Sequence, residues 1–451
     1  MQEKKYLNFG QKLAYGLGDF GGNFCYTFVS SFVLIYLTDI VGLNSAIIGV
    51  LMMISKIFDG FTDILFGTII DRTHTKWGKA RPWFIVAIVP LAICTFLEFS
   101  IPAWSQGLQY AYFFIVYTLL NAGFFTIFGV AFQTLSALIT KNKNERVQLG
   151  VFRYVFALSA AMLISMLTTI LVQTFGGGAA GWRTVAMIYA GVILATQFIV
   201  GLVCKELPPE ELYEAGQEEK AEKLSFWKTM KYLVTNKYFL MILGIYVGNQ
   251  LMNTISQSVG IYYVTYIIGN DQIFGLFSMA GMLPMILGLF LTPMLVKKFG
   301  IFKTNIYTMI IAIVLGIPFI LVGLKKQVML MLILLAVRGI FTAPITGTLG
   351  ALTAEASRNA YLRHKVHLDG SMFACSSMGT KVGSGIGVAV FGWLLNLSHY
   401  DGLAATQPQS ALDMITVMYL VFPVLSIVIQ LLFMSGLNVE KANAQLEAAN
   451  K

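Results

Sequence analysis

Charged residues are scarce in this chain. Only 12% of its 451 residues are Asp, Glu, Lys or Arg, whereas 57% are hydrophobic and the mean hydropathy is +0.73. Soluble globular proteins carry about 25% charged residues. The composition therefore excludes a soluble protein and indicates a chain that crosses a membrane many times.

Cysteine and histidine are scarce as well. The four cysteines lie in or at the ends of apolar segments without paired spacing, which argues against a disulfide framework and a zinc site. The four histidines form no metal-binding spacing, and the chain has no nucleophile elbow or phosphate loop. We therefore expect neither an enzyme nor a cofactor, and no resident metal.

The apolar runs predict an all-α, polytopic membrane protein with twelve spans of about 20 residues or more. The predicted spans are 11–38, 44–70, 82–102, 108–139, 147–175, 182–204, 234–268, 272–296, 304–323, 328–354, 368–396 and 412–436. Glutamates and lysines alternate in the single long polar stretch, which predicts a solvated linker. The predicted domains are a six-helix bundle over 1–204, a cytoplasmic linker over 205–233, and a second bundle with a short cytoplasmic tail over 234–451.

Basic residues predict the orientation in the membrane. If the N-terminus is cytoplasmic, the opposite side holds only Arg183, Lys325 and Lys326 of the 31 lysines and arginines, apart from those within spans. The positive-inside rule then predicts a multi-pass protein of the plasma (inner) membrane with both termini in the cytoplasm. This distribution accounts for the net charge of +9 without a nucleic-acid partner.

One sequence repeat links the two halves. The stretch 36–42, Tyr-Leu-Thr-Asp-Ile-Val-Gly, recurs at 263–269 as Tyr-Val-Thr-Tyr-Ile-Ile-Gly, at the end of the first span of each half. A parallel repeat of this kind predicts a transporter built from two pseudo-symmetric six-helix bundles.

The second span carries ionisable residues on one face. Lys56, Asp59 and Asp63 follow one another at helical spacing, with Thr62 beside them, inside an apolar run. Ionisable groups in a bilayer are costly unless they are paired or hydrated, and they usually mark an ion or substrate path. Carboxylate and hydroxyl oxygens suit a hard cation or a proton relay. The alternative is a buried pair in which Lys56 simply neutralises Asp59.

Other spans also carry polar groups. Asp19, Asn23, Tyr26 and Ser30 share one face of the first span, which predicts the wall of a wet cavity. For Glu98 and Arg338 we expect only partly buried polar pairing, near a helix end or in a bundle interior.

Several motifs occur together and in order along the chain. They are Lys12 to Phe20, Tyr36 to Asp39, the Asp59-x-x-x-Asp63 face, Gly67-x-x-x-Asp71-Arg72, Trp77 to Trp83, Glu145-Arg146-x-x-Leu149 and Lys381-Val382-Gly383. Together they resemble the glycoside-pentoside-hexuronide:cation symporter family of the major facilitator superfamily. The resemblance implies the major facilitator fold, and symport of a sugar with Na⁺, H⁺ or Li⁺ by alternating access.

The resemblance also implies roles for individual residues. It implies a cation site at Asp59, Asp63 and Thr126, and coupling through Lys381 and Lys56. It implies a sugar site that draws on Asp19, Asn23, Tyr26, Gln133, Arg153 and Lys381. It implies a cytoplasmic gate that involves Asp71, Arg72, Arg146, Glu355 and Asp369.

The substrate stays open at this point. A glycoside, a pentoside and a hexuronide are all compatible with these residues, and Arg153 can bind a carboxylate through two hydrogen bonds. A carrier of a lysolipid or another amphiphile with the same fold is the alternative. The expected partners are a small sugar, a monovalent cation and the lipid bilayer, and we expect a functional monomer.

Overall fold

The computed structural model describes residues 5–71, 73, 75–140, 142–208, 232–364, 369–404 and 406–449. Within these ranges the chain is built from helices, and a single bridge joins Thr75 to Gly78. The helices of the first half are α1 (Phe9–Ile35), α2 (Ser45–Asp71), α3 (Arg81–Glu98), α4 (Gln106–Thr118), α5 (Thr126–Leu138), α6 (Lys143–Thr174) and α7 (Gly178–Val203). Those of the second half are α8 (Lys237–Tyr262), α9 (Phe274–Leu324), α10 (Val328–His364), α11 (Asp369–Leu397), α12 (Gln409–Leu420), α13 (Phe422–Ser435) and α14 (Val439–Ala449).

Three described segments wind more loosely, as π-helix. Tyr36–Ile40 continues α1, and Tyr263–Ile268 continues α8. These segments coincide with the sequence repeat, and each is followed by a glycine with positive φ, Gly42 or Gly269. The repeat therefore encodes a shared local structure at the end of the first span of each half. The third π-helical segment, Leu119–Phe125, joins α4 to α5.

The predicted spans agree with the helices apart from a few boundaries. Eleven of the described helical stretches are long and apolar enough to cross a membrane. The predicted eighth and ninth spans form the single stretch α9, which is interrupted at Gly300, where φ is 80° and ψ is 164°. α10 extends to His364, well past the predicted end at 354. The C-terminal tail forms a helix, α14, which the hydrophobic pattern did not reveal because its residues are mostly polar.

The chain divides into two compact units. The first unit comprises Met1–Lys220 with two short later segments, Asp271–Gly275 and Tyr400–Thr406. In this unit α1 packs along α6 and α7, and α3 packs along α7. An aromatic core fills the space between α1, α3 and α7, where the ring centroids of Phe28 and Phe99 are 3.9 Å apart.

The second unit comprises Ala221–Asn270, Leu276–His399 and Gln407–Lys451. Its closest helix contact joins α8 to α11. A Cβ atom at Gly383 would lie 2.5 Å from the carbonyl oxygen of Val247, so only glycine permits this approach. A buried hydrophobic cluster that includes Ile242, Leu352 and Met434 joins α8, α10 and α13.

Candidate functional site

Asp59 lies in a polar pocket of the first unit. It is on α2 and only 7% exposed. The hydroxyl of Thr126, the first residue of α5, donates to Asp59 Oδ1 at 2.5 Å. The same Oγ1 lies 2.9 Å from the carbonyl oxygen of Asn121. Since one hydroxyl proton serves one acceptor at a time, Thr126 can turn its proton toward Asn121 and offer its lone pairs to a cation.

Asn121 connects this hydroxyl to Lys56. The Lys56 ammonium donates to Asn121 Oδ1 at 3.0 Å, and Asn121 Nδ2 donates to the carbonyl of Tyr117 at 3.1 Å. Asn121 is 8% exposed and lies in the π-helical segment Leu119–Phe125. The sequence analysis did not select it, because residues five apart do not share a face of an α-helix. A π-helical turn brings positions 121 and 126 together, and an asparagine within an apolar span was the available signal.

Asp63 lies one helical turn beyond Asp59 on α2 and is half-buried. The Thr62 hydroxyl donates to the backbone carbonyl of Asp59 at 3.1 Å, so its proton is used within α2. The local oxygen donors on the α2 face are therefore the two carboxylates, with Thr126 supplied by α5. No group of three or more His, Cys, Asp or Glu side chains in the described ranges is placed to hold a metal ion.

A second polar cluster joins α1 to α6. Arg153 forms an ion pair with Asp19 through its Nε, and its second nitrogen lies 3.4 Å from the other carboxylate oxygen. The Arg153 guanidinium also lies 4.9 Å from the centroid of the Phe132 ring. The two charged side chains keep 30% and 18% of their surface exposed. The pair can therefore still bind the hydroxyl groups of a ligand, with the carboxylate accepting and the guanidinium donating.

The other predicted sugar-site residues of this unit lie on α1 and α5. Asn23 donates to the carbonyl of Asp19 at 2.8 Å and is half-buried. Tyr26 is half-buried, and its ring centroid lies 6.1 Å from that of Phe125. Gln133 is exposed on α5 and directly follows Phe132, whose ring lies next to the Arg153 guanidinium. The roles predicted for these residues stay predictions.

In the first unit, carboxylates accept hydrogen bonds from backbone N–H groups near helix starts. Glu145 accepts the N–H groups of Tyr6 and Leu7, both at 3.1 Å, and the Thr140 hydroxyl at 2.7 Å. Lys12 lies 3.5 Å from the same carboxylate. Burial would raise the pKa of Glu145, but these hydrogen bonds and Lys12 together hold it below its usual range.

Glu206 serves the start of α3 in the same way. It accepts the N–H groups of Lys79, Ala80 and Arg81, each at 2.8 Å. The sequence analysis treated Glu206 as part of a solvated linker, and this is wrong for the half-buried Glu206. A carboxylate on the free N–H groups of a helix start is strongly favoured, which the charge pattern alone did not reveal.

The remaining predicted site residues are only partly described. Arg72 lies outside the described residues, as do the side chains of Asp71, Arg146 and Asp369. Glu355 is half-buried in the second unit, accepts from Asn443 at 2.8 Å and lies 3.8 Å from Arg358. Lys381 is half-buried on α11 of that unit. The gate and the coupling of Lys381 to the α2 carboxylates stay predictions.

Two further charges depart from the expected polar pairing. Both carboxylate oxygens of Glu98 are buried without a hydrogen-bond partner among the described residues. Arg338 is 5% exposed, lies 5.1 Å above the Phe319 ring, and its Nε also has no described partner. The expectation of polar pairing is therefore wrong, because the neighbours of these charges are largely aromatic rings.

Comparison with solved structures defines the fold. The chain superimposes on the nucleoside transporter NupG with a TM-score of 0.65 and 13% identity, over 94% of this chain and 98% of that one. It superimposes on a D-xylose-proton symporter with a TM-score of 0.62 and 14% identity, over 94% and 97% of the two chains. The protein is an all-α, polytopic membrane protein with the major facilitator fold, as predicted.

Residues 14–441 match the family described as MFS/sugar transport protein, and the chain belongs to that family. It is 28% identical to the isoprimeverose transporter of Lactiplantibacillus pentosus, over 93% of this chain and 87% of that protein. It is 26% identical to the putative glycoside/cation symporter YagG of Escherichia coli, over 93% and 89% of the two chains. The resemblance drawn from the motifs is confirmed, and so is the prediction of a transporter rather than an enzyme.

Proposed function

We propose that this protein is a secondary active transporter that carries a glycoside, pentoside or hexuronide together with Na⁺, H⁺ or Li⁺. Family membership and relatives named as a glycoside/cation symporter and as a glucuronide carrier homolog support this function. The observation that carries it is the bond between Asp59 and Thr126 in a buried pocket on membrane-spanning helices. These relatives do not favour a lysolipid or amphiphile carrier.

The cation acts on the pocket formed by α2 and α5. A cation at Asp59, Asp63 and Thr126 takes the place of the Thr126 proton on Asp59, and that proton turns to the Asn121 carbonyl. The Lys56 ammonium donates to the Asn121 side chain, so one asparagine can bond to both this ammonium and the Thr126 hydroxyl. Neutralising the carboxylates releases Lys381 from its electrostatic attraction to them. This release is the coupling step in our proposal.

The sugar binds beside the ion pair of Asp19 and Arg153. The carboxylate accepts from sugar hydroxyls and the guanidinium donates to them, with Asn23, Tyr26, Gln133 and Lys381 as further contacts. Arg153 also suits the carboxylate of a uronide. Because binding energies are reciprocal, a cation that raises the affinity for sugar is itself bound more tightly when sugar is present.

The protein acts in the plasma (inner) membrane as a monomer, with both termini in the cytoplasm. The distribution of basic residues supports this orientation. Alternating access exposes the cation and sugar sites to the two sides of the membrane in turn.

Transport in proteoliposomes tests the function. A thermal-shift screen of mono- and disaccharides, including isoprimeverose and a glucuronide, with and without Na⁺, first identifies a substrate. We expect wild-type protein to accumulate that sugar on a Na⁺ or H⁺ gradient. Asp59→Asn and Asp63→Asn should abolish accumulation but retain sugar exchange, because the sugar site is intact.

Asp413→Asn is the control, since Asp413 is exposed and pairs only with Gln409 among the described residues. It should accumulate sugar like the wild type. If Asp59→Asn also accumulates sugar to the wild-type level, the cation site assigned here is wrong.

A further inference from the structure

Glu98 is a buried acid that the cation and sugar sites do not use. It is the last residue of α3 and is 1% exposed. Neither of its carboxylate oxygens has a hydrogen-bond partner among the described residues, and none of the described ion pairs includes it. A membrane protein rarely leaves an acid in this state unless the acid has a function.

The surroundings of Glu98 are poor in groups that could stabilise a negative charge. The residue that follows it, Phe99, stacks on Phe28 and on Trp182. The titratable groups within electrostatic reach come from α1 and its π-helical continuation, from α3 itself and from α4: Cys25, Tyr36, Cys94, Tyr112 and Tyr117. The one cation on α7 near Tyr36 and Tyr112 is Arg183, which is exposed and forms no described ion pair with Glu98.

Two hydroxyl groups near Glu98 are hydrogen-bonded to backbone groups. Tyr36 accepts the N–H of Ile101 at 3.3 Å, and Tyr112 donates to the carbonyl of Leu97 at 3.2 Å. An ionised carboxylate in such an apolar, unpaired position is far less stable than a protonated one. A metal ion does not solve this problem, because one carboxylate among thiols and phenols offers too few oxygen ligands. The group that fits Glu98 is a proton.

We propose that Glu98 is a proton-binding site of the transporter, separate from the cation site at Asp59 and coupled to it through Tyr117. Tyr117 is 3% exposed and lies within electrostatic reach of both Glu98 and Asp59. Its backbone carbonyl accepts from Asn121, the residue that holds Lys56. Cys25 likewise lies within electrostatic reach of both Glu98 and Lys56.

The coupling has a definite sign. A negative charge on Glu98 attracts a cation to the neighbouring pocket, and a proton on Glu98 removes that attraction. By reciprocity, a cation at Asp59 favours release of the proton from Glu98. The proton site stands on the burial of Glu98 alone, whereas its coupling to cation binding rests on the proposed function.

Infrared spectra of the purified wild-type protein and its variants, compared as difference spectra, test the proton site directly. We expect wild-type protein at neutral pH to show the C=O stretch of a buried, protonated carboxyl group. This band should be absent from Glu98→Gln, shifted in Glu98→Asp and unchanged in the exposed-acid control Asp413→Asn. A neutral-pH spectrum without a protonated-carboxyl band, or one in which neither Glu98 variant alters it, overturns the proposal. If Glu98→Gln does not fold, the band shift in Glu98→Asp decides the assignment.

Thermal stabilisation by Na⁺ across a pH series tests the coupling. In the wild type the apparent Na⁺ affinity should rise with pH. In Glu98→Gln the fold-increase in that affinity over the same pH range should be smaller by a factor of about five or more. An unchanged pH dependence in Glu98→Gln rules out the coupling. Wild-type protein that binds no Na⁺ at any pH would instead contradict a Na⁺ site at Asp59, while the infrared result would still stand.

Discussion

Single carboxylates in this protein do different tasks because their surroundings differ. Asp59 is buried and accepts the Thr126 hydroxyl, a group that α5 supplies. Asp19 is paired with Arg153 and still partly exposed, so the two together can bind a polar ligand. Glu145 is saturated with donors and serves only to hold the chain. The number and type of hydrogen-bond donors, more than depth in the membrane, separates these roles.

The Glu145 carboxylate predicts a dependence of stability on pH. Hydrogen bonds and Lys12 overcome the effect of burial and lower its pKa in the folded state. Its contribution to stability is therefore fully present above the unfolded value of about 4.3 and is lost as pH falls through the lower, folded pKa. We expect Glu145→Gln to reduce the free energy of unfolding by about 2 kcal/mol at neutral pH.

Thermal unfolding in detergent between neutral and acidic pH measures this effect. The stability of Glu145→Gln should fall less steeply with acid than that of the wild type. The matched control is Glu447→Gln, which removes an exposed partner of Arg358 and should cost less than about 1 kcal/mol. Equal effects of the two substitutions at neutral pH would contradict the role given to Glu145.

At the scale of elements, the π-helical segment between α4 and α5 decides the geometry of the polar cluster around Asp59. It sets Thr126 against Asp59 and brings the Asn121 carbonyl to the same hydroxyl. In a regular α-helix each residue adds about 100° of rotation, so a different winding would turn Thr126 away from α2. π-helical turns of this kind are frequent at functional sites.

Insertion of one alanine after Gly123 tests the role of this segment. One added residue rotates Thr126 by about 100° relative to α4. We expect the variant to fold but to lose Na⁺-dependent thermal stabilisation and gradient-driven uptake. Gly123→Ala is the control, since a Cβ atom there meets nothing within 4 Å. Normal cation coupling in the insertion variant would show that the segment does not set the site.

At the scale of the whole molecule, both units contain a carboxylate that accepts backbone N–H groups just after a glycine with positive φ. In the first unit Glu206 accepts the N–H groups that follow Gly78. In the second unit Glu440 accepts those of Ile301 and Phe302, which follow Gly300. Both glycines have positive φ, 108° and 80°. The two halves thus share a structure that their sequences do not display.

The two glycines predict unequal effects of alanine. Both substitutions place a side chain at positive φ, which costs about 1–3 kcal/mol. A Cβ atom at position 78 would also lie 2.3 Å from the Glu206 carboxyl carbon, whereas at position 300 the nearest Glu440 atom is 3.4 Å away. Gly78→Ala should therefore displace the carboxylate and lower the melting temperature more than Gly300→Ala.

Melting temperatures in detergent decide the order, with Gly191→Ala on α7 as the control, since a Cβ atom there meets nothing within 4 Å. The control should melt like the wild type. A larger loss for Gly300→Ala than for Gly78→Ala would contradict the account of the Glu206 contact.

The sequence by itself determined the spans and the ionisable face of α2. Long apolar runs have few alternatives in a bilayer, because every backbone polar group there must be bonded within a helix or barrel. Asp59 and Asp63 share a face by helical spacing alone. The predicted helix boundaries were wrong where residues are mostly polar and show no hydrophobic pattern, as at α14. The position of α14 depends on its contacts with α10.

Only the tertiary structure decided which polar groups meet. Thr126 is 67 residues from Asp59, and Arg153 is 134 from Asp19, so no local pattern could pair them without the family resemblance. Asn121 and Glu206 were missed because a π-helical turn and a distant helix start gave them their partners. For Glu98 the expectation of polar pairing failed for the opposite reason. The sequence shows only a charge near the end of a span, whereas its burial without a described partner depends on how the surrounding helices pack.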